Sequence, residues 1–377
     1  MGSYSSNSEV RPHVIRNPLS GIRIYMSFFG KDGPNALTMS NWIDYYDPSN
    51  DTWRRLTSLP GLMDNHAIKG FSMVAIGDFI FIVGGKLCRK VIMTAQLDHD
   101  SDAVEEVELE VRASVLRYNL RTNTWSKCSP MRIPRFDFAC TVCDGRIYVV
   151  GGKCAFGSGR GLASAEVYNP AVDTWDPLPD LTTPRYKCVA VMWQGKVHVV
   201  GGFGGVEGPL AVKERCSAEV YDCESATWKL MVGMWQLDVP PNQIVAVGDK
   251  LFSSGDCLNA WKGHIEVYDG KIGIWDEVDG SYFEHISSPV STSDATEANW
   301  PPMRRLYLTM APIETHLYFF VSHRKPGEIA RSISAVHVFD TSASGEGRGW
   351  RSFEAVEKEG ERELCSHCCV GRVPQAP

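Results

Sequence analysis

Four arginines of this chain stand in contexts that suit the binding of carboxylates. Arg135 and Arg185 each follow a proline in the repeated phrase Met/Leu-x-x-Pro-Arg, and Arg304 and Arg305 form a pair further along the chain. A guanidinium group presents a planar fork of donors that can bind a carboxylate at two points. Such side chains either hold an acidic ligand or pair with carboxylates of the same chain, and the residues alone leave both interpretations open.

Cysteine and histidine side chains are the candidates for metal chemistry. Cys140-x-x-Cys143 and Cys365-x-x-Cys368 have the short spacing of zinc ligands, but no second Cys/His pair stands near either of them, and the ten histidines are scattered. On a strand, residues three apart point to opposite faces, which does not suit a shared ion. We therefore expect no metal and no cofactor, and we interpret the cysteines as reduced, buried thiols.

Two further segments have compositions that can be associated with binding. The glycine-rich stretches 151–161 and 201–208 lack the GxGxxG spacing of a phosphate-binding loop, and no helix pattern follows them. Between Leu97 and Val111 the chain carries seven acidic residues and no Lys or Arg. We expect this acidic segment to be a solvated, mobile loop. The alternatives are a docking site for a basic partner and an internal mimic of an acidic ligand that folds back on the arginines.

The elements that position these residues belong to an internal repeat. An aromatic residue followed by Asp or Asn, with a tryptophan seven positions after the aromatic, occurs five times, and a sixth copy has four extra residues in its turn. A period near 50 residues is typical of a β-propeller. We predict that each tryptophan packs between neighbouring repeats; the six are Trp53, Trp125, Trp175, Trp228, Trp275 and Trp350.

Paired glycines mark a second position in the same repeats. Short apolar runs end at Gly84-Gly85, Gly151-Gly152 and Gly201-Gly202, and weaker versions occur in the other repeats. Continuous apolar runs indicate strands that are buried on both faces. A glycine at the end of such a strand fits a position where a side chain would strike the adjacent sheet. Each repeat is therefore predicted to be a meander of four antiparallel strands, a to d.

The paired glycines, the Tyr-Asp…Trp hairpin and the Met/Leu-x-x-Pro-Arg phrase together resemble the kelch repeat, in the form found in plant F-box/kelch proteins. The resemblance extends over about residues 22–373 and implies an all-β, six-bladed kelch β-propeller. The Ser/Asn-rich composition of the first residues predicts a disordered tail, residues 1–21. The blades are placed at 22–56 plus 364–373, 68–128, 136–178, 187–231, 242–278 and 305–354.

The first blade lacks its innermost strand at the start of the chain. Residues 364–372 supply a candidate, because their end resembles the end of strand a in the third blade, residues 142–146. We therefore expect the C-terminal strand to complete blade one and to close the ring, which would remove exposed sheet edges.

The long connections are predicted to lie on one face of the ring. They are almost all b–c or d–a links: 30–41, 86–113, 153–162, 203–215, 256–262, 279–304 and 323–332. Insertions gathered on one face mark the binding side of a repeat protein. The four arginines fall where d–a links meet strand a. In a propeller this place is near one opening of the central channel. The resemblance to kelch domains implies that arginines in this place can bind an acidic peptide segment of a partner.

Composition narrows the classes of function. A formal net charge of −7 and a pI near 5.8 argue against a nucleic-acid binder. No run of apolar residues is long enough for a transmembrane helix, and no secretory signal is visible. Met1-Gly2 fits the loose pattern for myristoylation of Gly2, although a solvated tail is the preferred interpretation and a single acyl chain would bind a membrane only marginally. We expect a cytoplasmic or nuclear protein.

These observations favour a non-catalytic module that binds a partner protein through the loop face. One alternative is a relative of the substrate receptors of F-box/kelch ubiquitin ligases, although too few residues precede the first predicted strand for an F-box in this chain. The other is a metal-dependent enzyme of the kelch/galactose-oxidase type. The Glu-x-x-x-Asp-x-x-x-His motif of the iron-dependent kelch-type specifier proteins does not occur.

Overall fold

The computed structural model describes residues 19–31, 39–93, 103–205, 214–255, 265–278, 305–324, 331–343 and 349–373. These residues have an all-β architecture of antiparallel sheets. Within them, six sheets have four or five strands and a seventh has three. We number the larger sheets 1 to 6 in chain order and call the three-stranded one the side sheet.

Sheets 2 to 5 are four-stranded meanders whose first strand is innermost. Sheet 2 contains β5 (Ser72–Ile76), β6 (Phe79–Val83), β9 (Val115–Asn119) and β10 (Thr124–Cys128). Sheet 3 contains β11 (Ala139–Cys143), β12 (Arg146–Val150), β13 (Ala165–Asn169) and β14 (Thr174–Leu178). Sheet 4 contains β15 (Val189–Trp193), β16 (Lys196–Val200), β17 (Ala218–Asp222) and β18 (Thr227–Met231). Sheet 5 contains β19 (Ile244–Val247), β20 (Lys250–Ser253), β21 (Glu266–Asp269) and β22 (Ile274–Glu277).

Sheet 6 has the same order with longer strands. It contains β23 (Arg305–Ile313), β24 (His316–Arg324), β25 (Arg331–Asp340) and β26 (Trp350–Ser352), and β27 (Val356–Glu359) also pairs with β25.

The tight turns between first and second strands have a local cause. In sheet 3, Asp144 and Gly145 both have positive φ, 48° and 70°, as the two central residues of a type I′ hairpin require.

Sheet 1 is assembled from both ends of the described chain. It contains β1 (Ile22–Lys31), β2 (Met39–Asp47) and β3 (Thr52–Ser58), and the inner edge of β1 pairs with β28 (Glu361–Leu364) and β29 (Cys369–Arg372). The sequence predicted one strand over 364–372, but residues 365–368 interrupt it.

The interruption has a physical reason in bonds to the neighbouring sheets. The Ser366 hydroxyl accepts a hydrogen bond from the Met73 amide of sheet 2 at 2.9 Å. The Cys368 amide donates a hydrogen bond to the Thr309 hydroxyl of sheet 6 at 3.0 Å. The C-terminal segment therefore binds three sheets and not only the first.

The hydrophobic core is divided among the interfaces between sheets. Separate buried clusters lie between sheets 1 and 2, 2 and 3, 3 and 4, 4 and 5, 5 and 6, and 6 and 1. The innermost strands follow the same order: β5 contacts β11, β11 contacts β15, β15 contacts β19, β19 contacts β23, β23 contacts β29, and β29 contacts β5.

The tryptophans of the repeat stand opposite their aromatic partners and bridge neighbouring sheets. Trp175 pairs with Tyr168 across the β13–β14 hairpin, and its indole N–H donates to the Ser129 carbonyl in the link that follows sheet 2. The Trp275 indole donates in the same way to the Met234 carbonyl that follows sheet 4. Equivalent cross-strand pairs are formed by Trp53, Trp125, Trp228 and Trp350.

The backbones of the paired glycines form hydrogen bonds with the segment that leads into the next sheet. The Gly152 amide donates to the Arg185 carbonyl at 2.7 Å, and Gly85 donates to the Arg135 carbonyl at 2.9 Å. A Cβ atom on Gly84 would lie 2.7 Å from the Arg135 carbonyl oxygen, and Gly84 has a φ of 64°. Both the close approach and the left-handed backbone require glycine here. Gly151, Gly201 and Gly202 likewise have positive φ.

The side sheet corrects one prediction. Residues 103–110 of the acidic segment were expected in a mobile loop, but β8 (Ala103–Val111) pairs with β7 (Lys86–Met93), which pairs with β4 (His66–Lys69). The run alternates valines and leucine with glutamates, which favours a strand. Glu106 and Glu108 form ion pairs with Lys69 and Lys86, so the segment does not fold back on the candidate arginines. Residues 98–102 lie outside the described residues.

Candidate functional site

A cavity of about 680 Å³ lies among the six innermost strands. Its walls come from β5, β11, β15, β19, β23 and the segment 364–370. At one end it is lined by Gly70, Asp137 and Lys187, which stand in equivalent places just before the first strands of sheets 2, 3 and 4. We call this end the mouth.

The backbone at the mouth forms a continuous hydrogen-bonded arc. The Asp137 amide donates to the Gly70 carbonyl at 3.1 Å, and the Lys187 amide donates to the Asp137 carbonyl at 2.8 Å. All three residues have positive φ, 61° at Gly70, 51° at Asp137 and 51° at Lys187. A lysine in this conformation is strained, and such strain concentrates at functional sites.

Cations and aromatic rings surround Asp137. Burial raises the pKa of the Asp137 carboxyl, and the nearby Lys187, Lys86 and Lys153 oppose that shift. The Lys153 ammonium lies 3.8 Å from the centre of the Tyr186 ring, and the Lys86 ammonium lies 4.8 Å from that of Phe136.

The same arrangement continues along sheet 4. Tyr186 and Phe203 have ring centres 5.5 Å apart, and the Arg215 guanidinium lies 5.4 Å from the centre of the Phe203 ring. We call the whole set the mouth arc: Lys86, Phe136, Asp137, Lys153, Tyr186, Lys187, Phe203 and Arg215.

Arg135 lies beneath this surface and is bonded within its own sheet. Its side chain is fully buried and donates to the Gly151 carbonyl at 2.9 Å, to the Ser164 carbonyl at 3.0 Å and to the Glu166 carboxylate at 2.5 Å. Burial lowers the pKa of Arg135, while Glu166 opposes the shift. Glu166 also accepts the Arg132 amide at 2.8 Å, so its carboxylate caps the turn that leads to the arginine.

Arg185 repeats the same network one sheet further on. Its buried guanidinium donates to the Gly201 carbonyl at 2.8 Å and to the Ser217 hydroxyl at 2.7 Å, and it lies 3.4 Å from Glu219. Glu219 accepts the Thr182 amide at 2.7 Å. These contacts are those of the internal-pairing alternative, because a ligand at the surface would not reach either guanidinium without rearrangement.

The other two candidate arginines occupy different places. Arg305 begins β23 and is 7% exposed at the cavity wall, in register with His323. Arg304 lies outside the described residues, as does Gly2. The structure therefore brings Arg135 and Arg185 into equivalent positions and does not place all four around one opening. Partner binding by these arginines stays a prediction.

Sequence reasoning missed the carboxylates that hold the arginines. Glu166 and Glu219 each stand two residues before the tyrosine of the repeat, in the phrase Glu-Val-Tyr. The fixed offset was a usable signal. Sequence reasoning also missed the lysines of the mouth arc. Each of them follows a glycine pair or precedes a strand, where a charged residue is ordinary.

The cysteines of the inner strands are free thiols with suppressed acidity. Burial raises the pKa of Cys140, Cys365 and Cys368, each to about 12. Thiols in this state are poor nucleophiles and poor metal ligands. Among the described residues no cluster of three or more His, Cys, Asp or Glu side chains could share a metal ion.

Residues 134–182 and 184–234 match the Kelch motif. Each matched segment begins at a Pro-Arg dipeptide and contains one buried Arg–Glu pair. With its four-stranded antiparallel sheets, the chain has the architecture of a β-propeller. These two segments of the chain are therefore kelch repeats.

The relatives of this chain share the repeats over a limited length. An F-box/kelch-repeat protein of Arabidopsis thaliana is 30% identical over 128 residues, which cover 34% of this chain and 30% of that protein. Kelch-like protein 31 of Homo sapiens is 29% identical over 146 residues, which cover 39% of this chain and 20% of that protein. The matched segments thus span less than a third of either relative. In the part of the chain that the structure describes, no helix has the length and apolar character to span a membrane.

Proposed function

We propose that this chain is a non-catalytic protein-interaction module that binds an acidic segment of a partner protein at the mouth arc. The observation that carries the proposal is the convergence of Lys86, Lys153 and Lys187 around one carboxylate, Asp137, beside a cavity. Kelch repeats in relatives named as F-box/kelch-repeat and kelch-like proteins support the interaction class.

The proposal includes a six-bladed, closed ring with the blade boundaries predicted from the sequence. The buried clusters between successive sheets, including the cluster between sheets 6 and 1, support this arrangement. The pairing of β28 and β29 with β1 supports a closure at this sheet. In such a ring the b–c and d–a links lie on the face that carries the mouth arc.

The chemistry of the mouth arc suits carboxylates flanked by apolar groups. Lys187 is exposed and Lys153 is partly exposed, so their ammonium groups can take additional acceptors. Tyr186 and Phe203 offer ring faces beside those charges. Charge-assisted hydrogen bonds to a ligand carboxylate would each contribute about 1.5–3 kcal/mol.

Asp137 acts in this proposal as a built-in counter-ion. Its carboxylate competes with a ligand for Lys153 and Lys187, while Lys86 is also paired with Glu108. Asp137→Asn removes that negative charge and keeps a residue type that tolerates the left-handed backbone. We expect this variant to bind an acidic peptide several-fold more tightly than the natural chain.

Selection of a displayed peptide library on the purified chain tests the proposal. Enriched peptides should be acidic, and their affinity should fall at least about tenfold for Lys153→Glu/Lys187→Glu, a loss of about 1.4 kcal/mol. Lys196→Glu/Lys229→Glu is the matched control, because these lysines line a separate pocket between sheets 4 and 5. Selected peptides that lose affinity equally for both double variants, or that bind Asp137→Asn more weakly, would overturn the mouth arc as the site.

A substrate-receptor role in a ubiquitin ligase is the second candidate, supported by the F-box/kelch-repeat names of two plant relatives. Co-purification with the adaptor that binds F-boxes in cullin ligases tests it. A stoichiometric complex would support this role, and failure to co-purify would count against it for this chain.

A further inference from the structure

The strand β8 leaves one of its edges unpaired within the described part of the chain. The side sheet has the order β4-β7-β8, so β7 covers one edge of β8 and no described strand covers the other. An edge strand presents a row of backbone N–H and C=O groups to solvent and is a template for a further strand.

The length of β8 distinguishes it from the outer strands of sheets 2, 3 and 4. It has nine residues, whereas β10, β14 and β18 have five each. Those three also carry residues that discourage pairing, namely Lys127, Pro177 and Lys229. No proline or lysine interrupts β8.

The side chains of β8 define the chemistry of a strand that would pair with it. Val107 and Leu109 are 37% and 40% exposed. Four of its residues are glutamates, of which Glu106, Glu108 and Glu110 have partners in Lys69, Lys86 and Arg112. Glu105 has no ion pair among the described residues.

We propose that the free edge of β8 binds an extended segment of another protein that adds to the side sheet as a fourth strand, with basic side chains beside the glutamates and apolar side chains beside Val107 and Leu109. Directly opposite residues on paired strands have Cβ atoms about 4.5–5.5 Å apart, and opposite charges in such pairs are stabilising. The carboxylates of β8 would lie beside the added strand. Glu105 is the one that has no cation partner among the described residues, whereas Lys69, Lys86 and Arg112 already reach the other three glutamates.

The same rule disfavours a second copy of this chain as the occupant. Two β8 strands edge to edge would set glutamates against glutamates, and like charges directly opposite are destabilising. Charges on an edge also protect proteins from aggregation. That role explains the glutamates but not the exposed Val107 and Leu109, which a purely protective edge would replace with polar residues.

The proposal does not depend on the mouth arc, because it requires the opposite ligand charge. The probe is a labelled, end-capped decapeptide of alternating lysine and valine, measured by fluorescence anisotropy at physiological ionic strength. Its controls are a glutamate–valine decapeptide and a lysine–valine decapeptide with N-methyl groups on alternate residues, which keeps the charge and removes donors along one edge.

We expect the lysine–valine peptide to bind, and its N-methylated form to bind at least about tenfold more weakly, because main-chain hydrogen bonds supply much of the affinity of an added strand. Glu105→Lys/Val107→Lys should weaken binding by a similar factor. The milder Glu105→Gln/Val107→Thr should give an intermediate loss. Val172→Lys/Glu224→Lys, in two exposed turns of sheets 3 and 4, is the matched control and should leave binding unchanged.

Hydrogen exchange gives a second readout, since the amides of residues 103–111 should exchange more slowly with the peptide bound. Equal binding of the N-methylated peptide would show plain charge attraction and overturn the proposal. Absence of binding at millimolar peptide, or equal loss in the turn control, would overturn it as well.

Discussion

At the residue scale, Arg135 and Arg185 do similar work in consecutive sheets. Each guanidinium joins the end of the second strand, the link before the third strand and a glutamate on the third strand. Both ions of each pair are almost completely removed from water. A buried ion pair of this kind tolerates loss of neither partner, because the remaining charge keeps its desolvation penalty.

Arg185→Ala should therefore lower the free energy of unfolding by about 3–5 kcal/mol. Glu219→Ala should have a similar effect, since it leaves the guanidinium unpaired and two turn amides without their acceptor. Urea denaturation measures both. The control is Lys196→Ala, which breaks the exposed pair with Asp222 and should leave the urea midpoint almost unchanged. If Arg185→Ala unfolded at the same urea concentration as the natural chain, the pairing could not be structural.

Trp175→Ala tests the packing role of the repeated tryptophans. The indole is 8% exposed and contacts Tyr168 at 5.0 Å between ring centres. Its removal should lower the free energy of unfolding by about 3–5 kcal/mol, as for other truncated core aromatics. Val172→Ala, three residues away in the exposed turn, should have almost no effect. Equal losses for the two variants in thermal denaturation would contradict the packing role.

Residue types and spacing were enough to predict the hairpins that carry the tryptophans but not the direction of side chains. The tryptophans stand opposite their aromatic partners because a hairpin of fixed length fixes the register. The arginines were placed in the right links, yet burial of a guanidinium depends on a carboxylate some thirty residues away, as with Arg135 and Glu166. Sequence offset alone could suggest that pair but could not show that it is buried away from solvent.

At the element scale, the side sheet contains a segment whose acidic charge led to the prediction of a loop, although its residue pattern is that of a strand. The run from Glu106 to Val111 alternates acidic and apolar residues, which is the pattern of a strand, but its glutamates suggested a solvated loop. Lys69 and Lys86 compensate these charges from other strands, and this compensation depends on tertiary placement. The C-terminal strand was predicted in place, while its interruption at 365–368 depends on hydrogen bonds to the Met73 amide of sheet 2 and the Thr309 hydroxyl of sheet 6.

Sheet 6 contains a buried histidine that should make stability depend on pH. His337 lies on β25, is 7% exposed, and its Nδ1 is 2.7 Å from the Ser352 hydroxyl. Burial lowers the pKa of His337 from 6.5 to about 4. Because the folded state resists protonation, the contribution of His337 to stability is complete above about pH 6.5 and is lost as the pH falls towards 4.

Melting temperatures between pH 7 and pH 4.5 measure this effect. The natural chain should lose more stability over the interval than His337→Gln, which cannot gain a proton. Other titrating groups contribute equally to both chains, so the difference between the two curves reports on His337. His316→Gln, at a more exposed position of the same sheet, is the control and should follow the natural curve. Parallel curves for His337→Gln and the natural chain would contradict the prediction.

At the scale of the whole molecule, the C-terminal segment is the contact between the two ends of the described chain. It pairs with β1 and bonds sideways to sheets 2 and 6. Arg362 reaches the Asp44 carboxylate at 3.3 Å, which Arg55 binds from the other side at 2.6 Å. The segment therefore supports three sheets at once.

Removal of residues 364–377 should expose the inner edge of β1 and the apolar surface beneath it. We expect aggregation or a large fall in melting temperature, well beyond the roughly 2–4 °C that 1 kcal/mol shifts in a large domain. Differential scanning fluorimetry and light scattering measure the two outcomes. A truncated chain that melts within about 2 °C of the full one would contradict the closed ring.

The pairing of β1 with strands from the other end also sets an order of events during translation. Ile22 leaves the ribosome long before Arg372, its partner in the finished sheet. At synthesis rates of about 5–20 residues per second, the inner edge of β1 waits roughly 20–70 seconds for that partner. Throughout this interval the nascent chain holds an open edge next to apolar side chains such as Ile24 and Met26. Protection of that edge by chaperones, or slow folding of the earlier sheets, would then decide how much of the protein reaches its native state.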